Sequence, residues 1–423
     1  MKLSEPKNRS YAATVVRVQE LVKLENCDNV QGLQWGGMQA IVGMDTQVGD
    51  IGVLFPTEAV LSHEYVFHNN LYRHAERNIE PYAKPGYIED DRRIRSVKFR
   101  GHRSDAFFMP ISSLAWTKAS ITGLREGDVF DELHGQPICT QWVRPVKRGV
   151  PAKVLKWERR VEKKLFPEQA HISHFLRELR HLDPSAPCVV TQKLHGTNLR
   201  VGNTLVRRKQ GWLEKILARF GVQVPLTEYA VVFGSHLSIK GIEASPGAVH
   251  YYDEDVWQHH GEKIAALVPQ GYIVYGELVG FTLSGKALQP HYTYQCRPRE
   301  AKLYVYRVAT VNPQGVVCDL SWPAVKEFCK QRGLAHVPEL WNCTVQEVEG
   351  GLADILDTKF HPLWGNAVPL SDDSPCDEGV CIRIEGISPL ILKAKAPIFV
   401  AHETHMRDAG EEDIEEEESQ RLE

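Results

Sequence analysis

Alternating and clustered apolar positions divide the chain into many short elements. Tyr11–Val18, Gln39–Val42 and Ile51–Phe55 are rich in β-branched and small apolar residues, and Gly43 and Val48-Gly49-Asp50 punctuate them. That rhythm predicts short strands joined by tight turns, the pattern of a small barrel or sandwich. Further along, Cys188–Lys193, Gly271–Leu278 and Lys302–Val308 read as strands. Helical spacing appears later. One helix is predicted to start near Ser321, to bury Val325, Phe328 and Cys329, and to stop at Gly333. Another is predicted from Thr344, where Thr344 and Glu347 make a capping box and Val348, Leu352, Ile355 and Leu356 form the apolar stripe. The expected class is therefore α+β.

Polar clusters interrupt this pattern in three places. Asp91–Arg103 (DRRIRSVKFRGHR) carries Arg92, Arg93, Arg95, Lys98, Arg100 and Arg103 around Phe99, and cations interleaved with aromatics suit a phosphate backbone with stacked bases. The same segment also reads as a two-sided strand that partly buries Ile94, Val97 and Phe99. Between Arg144 and Lys164 lie nine bases and two acids, with Pro145 and Pro151, which marks a basic linker or an electrostatic track. Residues 409–423 (AGEEDIEEEESQRLE) hold eight acids and one base, the composition of a solvated disordered tail or of an arm that mimics nucleic acid.

Composition sharpens the picture. The 423 residues carry 50 Lys+Arg against 54 Asp+Glu, so the net charge is −4, but the tail accounts for −7 and the remainder is +3. The distribution permits a nucleic-acid partner that the average argues against. No run of eighteen apolar residues exists, and MKLSEPKNRS lacks the apolar core of a signal peptide, so a soluble, cytoplasmic protein outside the membrane is expected. Nine irregularly spaced cysteines with no CxxC pair fit a reducing compartment. The eighteen histidines show no HExxH spacing.

The strongest chemical signal is Thr191–Gly202 (TQKLHGTNLRVG). Lys193 ends an apolar strand and precedes the tight turn His195-Gly196-Thr197-Asn198. A lysine desolvated at such a place, near other cations, loses charge and becomes a nucleophilic amine. In order along the chain follow Val274-Tyr275-Gly276-Glu277-Leu278, Leu303-Tyr304-Val305-Tyr306-Arg307-Val308, Glu378-Gly379-Val380-Cys381-Ile382-Arg383 and Ile391-Leu392-Lys393-Ala394-Lys395. Lys393 and Lys395 alternate along a strand and share one face.

This ordered set resembles the covalent nucleotidyltransferase superfamily of RNA ligases, DNA ligases and capping enzymes. Lys193-x-His195-Gly196-Thr197-Asn198 looks like its nucleophile motif in the form found in RNA ligases, since DNA ligases usually carry an aspartate where His195 stands. Val48–Ser62 and Arg92–Pro110 further resemble the N-terminal module of the deinococcal-type nick-sealing RNA ligases.

The resemblance implies an N-terminal OB-like β-barrel followed by an ATP-grasp-like nucleotidyltransferase domain of antiparallel sheets and helices. The expected division is 1–140 for a nucleic-acid-binding OB-like module, 141–182 for a linker and helical lead-in, 183–405 for the ligase domain and 406–423 for the tail. It implies a monomeric, ATP-dependent RNA ligase acting on nicked RNA or RNA–DNA hybrid duplexes through lysyl-AMP and an adenylylated 5′-phosphate.

Lys193 would be the nucleophile, and Lys393 and Lys395 would neutralise phosphates. Glu378 and Glu277 would hold Mg²⁺ or Mn²⁺, with Glu277 also near the ribose. Gln192 would read the adenine edge and Tyr306 would stack on it. His195, Gly196, Thr197 and Asn198 would line the nucleotide, and Arg208 would touch phosphate. Two positions depart from relatives: His236 stands where many have an arginine, and Arg307 where phage-type ligases have an aspartate. A GTP-using capping-type guanylyltransferase, or a nucleic-acid-binding protein with a vestigial ligase domain, are the alternatives.

Overall fold

The computed structural model describes residues 3–119, 121–143, 160–169, 172–236, 239–240, 254–357, 362–371 and 373–410. Most of the basic Arg144–Lys164 bridge and nearly all of the acidic tail lie outside the described residues. Two compact units emerge. One is built from Met1–Arg144, Ser173–His181 and Lys395–Glu411; the other from Pro145–Ile172 and Leu182–Ala394.

The first unit contains a seven-stranded sheet. Its strands run in the order Val129–Phe130, Ala13–Arg17, Ile51–Pro56, Ala106–Pro110, Met38–Gly43, Val30–Trp35 and Glu20–Lys23. The three predicted N-terminal strands are all present. The path is open, and no closed barrel is found among the described residues. One face buries Val15, Val53, Phe55, Tyr65, Tyr72 and Phe130 in a core whose largest members are aromatic. The Asp91–Arg103 segment ends in a hairpin, Val97–Phe99 paired with His102–Ser104. Ile94 is buried, as a two-sided strand requires, whereas Val97 and Phe99 face solvent.

The second unit holds the strands that carry the chemical motifs. We label them β1 (Pro187–Lys193), β2 (Thr197–Arg207), β3 (Thr227–Gly234), β4 (Ile239–Lys240), β5 (Tyr272–Gly280), β6 (Ala301–Val311), β7 (Val317–Asp319), β8 (Ala335–His336), β9 (Glu339–Thr344), β10 (Gly379–Ile384) and β11 (Leu390–Lys395). They form two sheets, β9-β1-β10-β11 and β4-β3-β2-β5-β6-β7, with β8 alongside β6. The β1–β9, β1–β10, β2–β3, β2–β5, β3–β4, β5–β6 and β6–β7 pairings are antiparallel, and β6–β8 is parallel. This is the mixed α+β class expected from the alternation of strand and helix signals.

Four helices of eight or more residues accompany these sheets among the described residues. Helix α1 (Trp212–Arg219) interrupts the connection from β2 to β3, and α2 (Val256–Ala265) packs on β2. Helix α3 (Trp322–Arg332) begins after Ser321 and ends on Gly333 at φ 64°, where a side chain would be strained. It buries Val325, Phe328 and Cys329, as its spacing predicts. Helix α4 (Val345–Asp357) opens with the predicted capping box: Glu347 accepts from the Thr344 amide at 2.7 Å, and Thr344 Oγ1 accepts from the Glu347 amide at 3.3 Å. The last helix, α5 (Pro397–Ala409), belongs to the first unit.

Candidate active site

Strand register assembles the site. In the β1–β10 ladder Lys193 faces Gly379, so Glu378, one residue earlier, arrives beside the lysine. The Lys193 Nζ lies 2.8 Å from Glu378 Oε2, and His195 Nδ1 lies 3.6 Å from the same oxygen. The Glu378 side chain is only 3% exposed, so its charge is held largely away from water, where an ion pair is worth most.

The other sheet closes the turn. β2 pairs with β5 so that Asn198 faces Glu277 and Thr197 faces Leu278. Glu277 Oε1 accepts from the Gly196 amide at 3.0 Å. A Cβ on Gly196 would come within 2.4 Å of the Leu278 carbonyl oxygen, so only glycine lets the turn press this closely on β5. The His195 amide donates to Tyr294 Oη at 2.8 Å, and Gln289 Nε2 donates to the Gly196 carbonyl at 3.0 Å. Burial raises the Tyr294 phenol well above its ordinary range, so it remains a neutral partner.

Tyr306 reaches the site through a β-bulge. Tyr275 faces Arg307 and Gly276 faces Val305, which leaves Tyr306 without a facing residue on β5. A bulge re-aims the side chain at that point. Tyr306 Oη bonds Asn198 Nδ2. Arg307, next along the bulge, is bound by Asp319 and by Gln169 Oε1 at 2.9 Å.

A cleft opens over these groups. It is lined by Gln192, Lys193, Asn198, Glu277, Tyr306 and Lys393, together with Gln169, His236, Trp322, Cys381 and Arg383. The Cys381 thiol is pushed up to about 11, chiefly by burial, and so stays protonated beside the lysines. Sequence reasoning missed Gln169 and Trp322, because distant parts of the chain deliver them and no local motif marks them; Arg383 ends the Glu378–Arg383 motif, which gave it no role of its own. His236, noted only as a departure from relatives, also lines the cleft.

Other expected residues are already engaged by partners within the protein. Gln192 is buried with both ends of its amide engaged: Nε2 donates to Asp377 Oδ1 at 2.6 Å, and Oε1 accepts from the Val368 amide at 2.7 Å. Arg208 sits beyond the far end of β2, whose eleven residues span about 33 Å at the usual strand rise, so it does not reach the Lys193 turn. Its guanidinium is bound by Glu214 instead. Lys395 shares a strand face with Lys393 but donates to Glu403 Oε1 at 3.0 Å.

The basic segment of the first unit also divides. Arg93, with a side chain 2% exposed, is a core residue clamped by both Glu58 oxygens at 2.7 and 2.8 Å and by Asp408 at 2.6 Å. It is turned away from any solvent-borne strand. Arg95 pairs with Asp91, and Arg100 donates to the Asn26 carbonyl at 2.8 Å. Arg92 and Lys98 share the segment, and Arg103 approaches Asp105 at 3.8 Å.

Residues 186–395 match the family model described as RNA ligase. This region is an RNA ligase domain. It belongs to the nucleotidyltransferase superfamily that the Lys193 motif resembles. Comparison with curated proteins gives no match.

Among solved structures, Naegleria gruberi RNA ligase with PPi aligns over 95% of this chain and 99% of its own, at TM-score 0.58 and 13% identity. A lysine mutant of that ligase with AMP and Mn aligns over 92% and 98% at TM-score 0.56 and 14% identity. Another with ATP and Mn aligns over 94% and 99% at TM-score 0.56 and 12% identity. At such identities the likeness is one of fold, and it extends over nearly the whole length of each chain. Among the described residues no helix is long and apolar enough to cross a membrane, and no three His, Cys, Asp or Glu side chains gather as a metal-binding group.

Proposed function

We propose that the protein is an ATP-dependent RNA ligase that seals 5′-phosphate and 3′-OH ends, and that its preferred substrate is a nick with an RNA 3′-OH. One observation carries this reading. Lys193 stands at the end of β1 in a cleft, its ammonium 2.8 Å from the buried Glu378 carboxylate, with Glu277, Tyr306 and Lys393 around the same opening.

The chemistry follows from those placements. Lys193 gives up a proton and its amine attacks the α-phosphorus of ATP; a P–N bond forms, the P–O bond to the β-phosphate breaks, and pyrophosphate leaves. A 5′-phosphate oxygen then displaces the lysine, which takes back a proton, and the strand end becomes adenylylated. A 3′-OH finally attacks that 5′-phosphate, forming the phosphodiester and releasing AMP. Glu378 Oε2 holds the lysine ammonium until ATP arrives. Lys393 supplies fixed positive charge where charge develops on phosphate. Tyr306, held by Asn198, offers its ring to adenine. Gln192 acts by bracing Val368 and Asp377 behind the nucleophile. Lys395 joins the phosphate site by exchanging Glu403 for phosphate.

Glu277 and Glu378 flank one turn and offer the hard oxygen donors that Mg²⁺ and Mn²⁺ prefer, so they fit a divalent cation. Bound there, it would supply positive charge beside the α-phosphate.

We read the first unit, residues 1–140 with the later segments that pack into it, as an OB-like nucleic-acid-binding module. Its solvent-facing cations, led by Lys98 and Arg100 beside the exposed Phe99, would meet the duplex. Residues 183–405 are read as the catalytic domain, and the protein as a cytoplasmic monomer.

The test compares sealing of two nicked duplexes that differ only in a ribose or a deoxyribose at the 3′-OH end. Faster sealing with ribose is expected; equal rates would remove the RNA-specific part of the reading.

A further inference from the structure

We propose that the arm joining β2 to β3 is a binding site for single-stranded RNA that extends from the sealed duplex. The proposal rests on the ligase reading and adds a second contact to the substrate, remote from the chemistry.

The arm begins where the Arg208 amide donates to the Leu226 carbonyl at 2.9 Å, which closes its base. Between them the chain leaves the sheet and forms α1. Glu214 fixes the helix start: its carboxylate accepts from the Gly211 amide at 2.9 Å and from Arg208, and both bonds hold its pKa below the usual carboxylate range. The helix is therefore anchored at its base by its own residues.

Its outer face is unusual. Trp212 is 70% exposed and Phe220 is 81% exposed, with Leu213 and Ile216 exposed between them. At 100° per residue Trp212, Ile216 and Arg219 fall on one side of the helix. Residues 207–229 hold five cations against two carboxylates, and Arg208 is already bound to one of those carboxylates. Lys209 lies three residues before Trp212 and Arg219 directly precedes Phe220, so each bare aromatic ring has a cation within three residues of it. Rings paired with cations on an outward face are the arrangement that stacks unpaired bases and neutralises the phosphates between them. A helix of eight residues is only about 12 Å long, too short to supply the roughly 800 Å² per partner of a stable protein interface.

Distance then defines the substrate. The arm lies at the far end of β2, about 33 Å from the Lys193 turn. At about 3.4 Å per nucleotide, that is roughly ten nucleotides from the reacting end. Bases at that distance can stack on Trp212 and Phe220 only if they are unpaired.

The experiment uses the full-length protein and three forms: wild type, Trp212→Ala with Phe220→Ala, and Lys209→Glu with Arg219→Glu. Each is given one nicked RNA duplex with and without a single-stranded RNA extension of roughly twenty nucleotides, long enough to pass the arm. Lysyl-AMP formation should be equal in all three. In the wild type the extension should lower KM about tenfold. Neither variant should gain from it, and the charge variant should lose roughly 1.4 from the salt slope of binding, about 0.7 for each phosphate contact removed.

An extension that leaves wild-type KM unchanged, or that helps all three forms equally, overturns the proposal. So does extension binding that survives in the variants while a wild-type dimer becomes monomeric, or while binding to phosphatidylserine vesicles is lost. Anisotropy of the labelled extension alone reads the arm without catalysis, so a wild type that binds it but forms no lysyl-AMP would fail as a ligase and leave the arm standing.

Discussion

Lys193 Nζ and Glu378 Oε2 lie 2.8 Å apart because β1 and β10 pair Lys193 with Gly379. Two segments far apart in sequence are thus locked into one charge pair by backbone register. Glu378→Gln keeps the shape and removes the charge. We predict that it lowers the rate of lysyl-AMP formation by about 10²- to 10³-fold, the scale of losing one charge-stabilising group in a closed site. Circular dichroism should match the wild type. An unchanged rate would show that the carboxylate does not serve the chemistry.

Tyr306 separates stacking from hydrogen bonding. Tyr306→Phe keeps the ring and removes the hydroxyl with its bond to Asn198, worth about 1 kcal/mol. Tyr306→Ala also loses the ring, worth about 1–3 kcal/mol against a base. The KM for ATP should therefore rise several-fold in the first variant and at least tenfold in the second. Equal values for the two would place adenine elsewhere.

Arg93 is predicted to serve stability rather than RNA binding. Its partners Glu58 and Asp408 would be left with a missing cation in Arg93→Met, and breaking such a buried pair costs about 3–5 kcal/mol. Urea unfolding of the first unit should shift accordingly. Arg100→Ala, at an exposed position, should leave unfolding unchanged and weaken RNA binding at low salt.

Stability should also fall in mild acid. His260 on α2 is lowered to about 4 by burial, with the Lys263 and His259 charges adding to the effect, so the folded protein keeps it neutral. The unfolded chain binds the proton near pH 6.5, so the folded state loses stability as pH drops from about 6.5 to about 4 and keeps it fully above that range. His260→Gln should flatten the slope of unfolding free energy in that window. A slope identical to wild type would assign the acid sensitivity to other groups.

How much of this was legible in the sequence differs by residue. Lys193, Glu277 and Lys393 were readable because each sits in a short motif on a strand whose β-branched pattern is strong. The ends of α3 and α4 were readable because Ser321, Gly333 and the Thr344–Glu347 box act locally.

What needs pairing was not readable. The Tyr306 bulge exists only against β5, and the delivery of Gln169 and Trp322 to the cleft depends on packing between remote segments. The resemblance implies a phosphate contact for Arg208, but the eleven residues of β2 carry it away. Arg93 looked like its neighbours in sequence, and only the buried Glu58 distinguishes it.

The most direct test of the central claim is covalent. Wild-type protein and Lys193→Ala are incubated with α-labelled ATP and a divalent cation, then denatured and run on a gel. The account predicts a labelled band for the wild type, no band for Lys193→Ala, and loss of the wild-type label when pyrophosphate is added. Label retained by Lys193→Ala, or label taken from GTP but not from ATP, would contradict it.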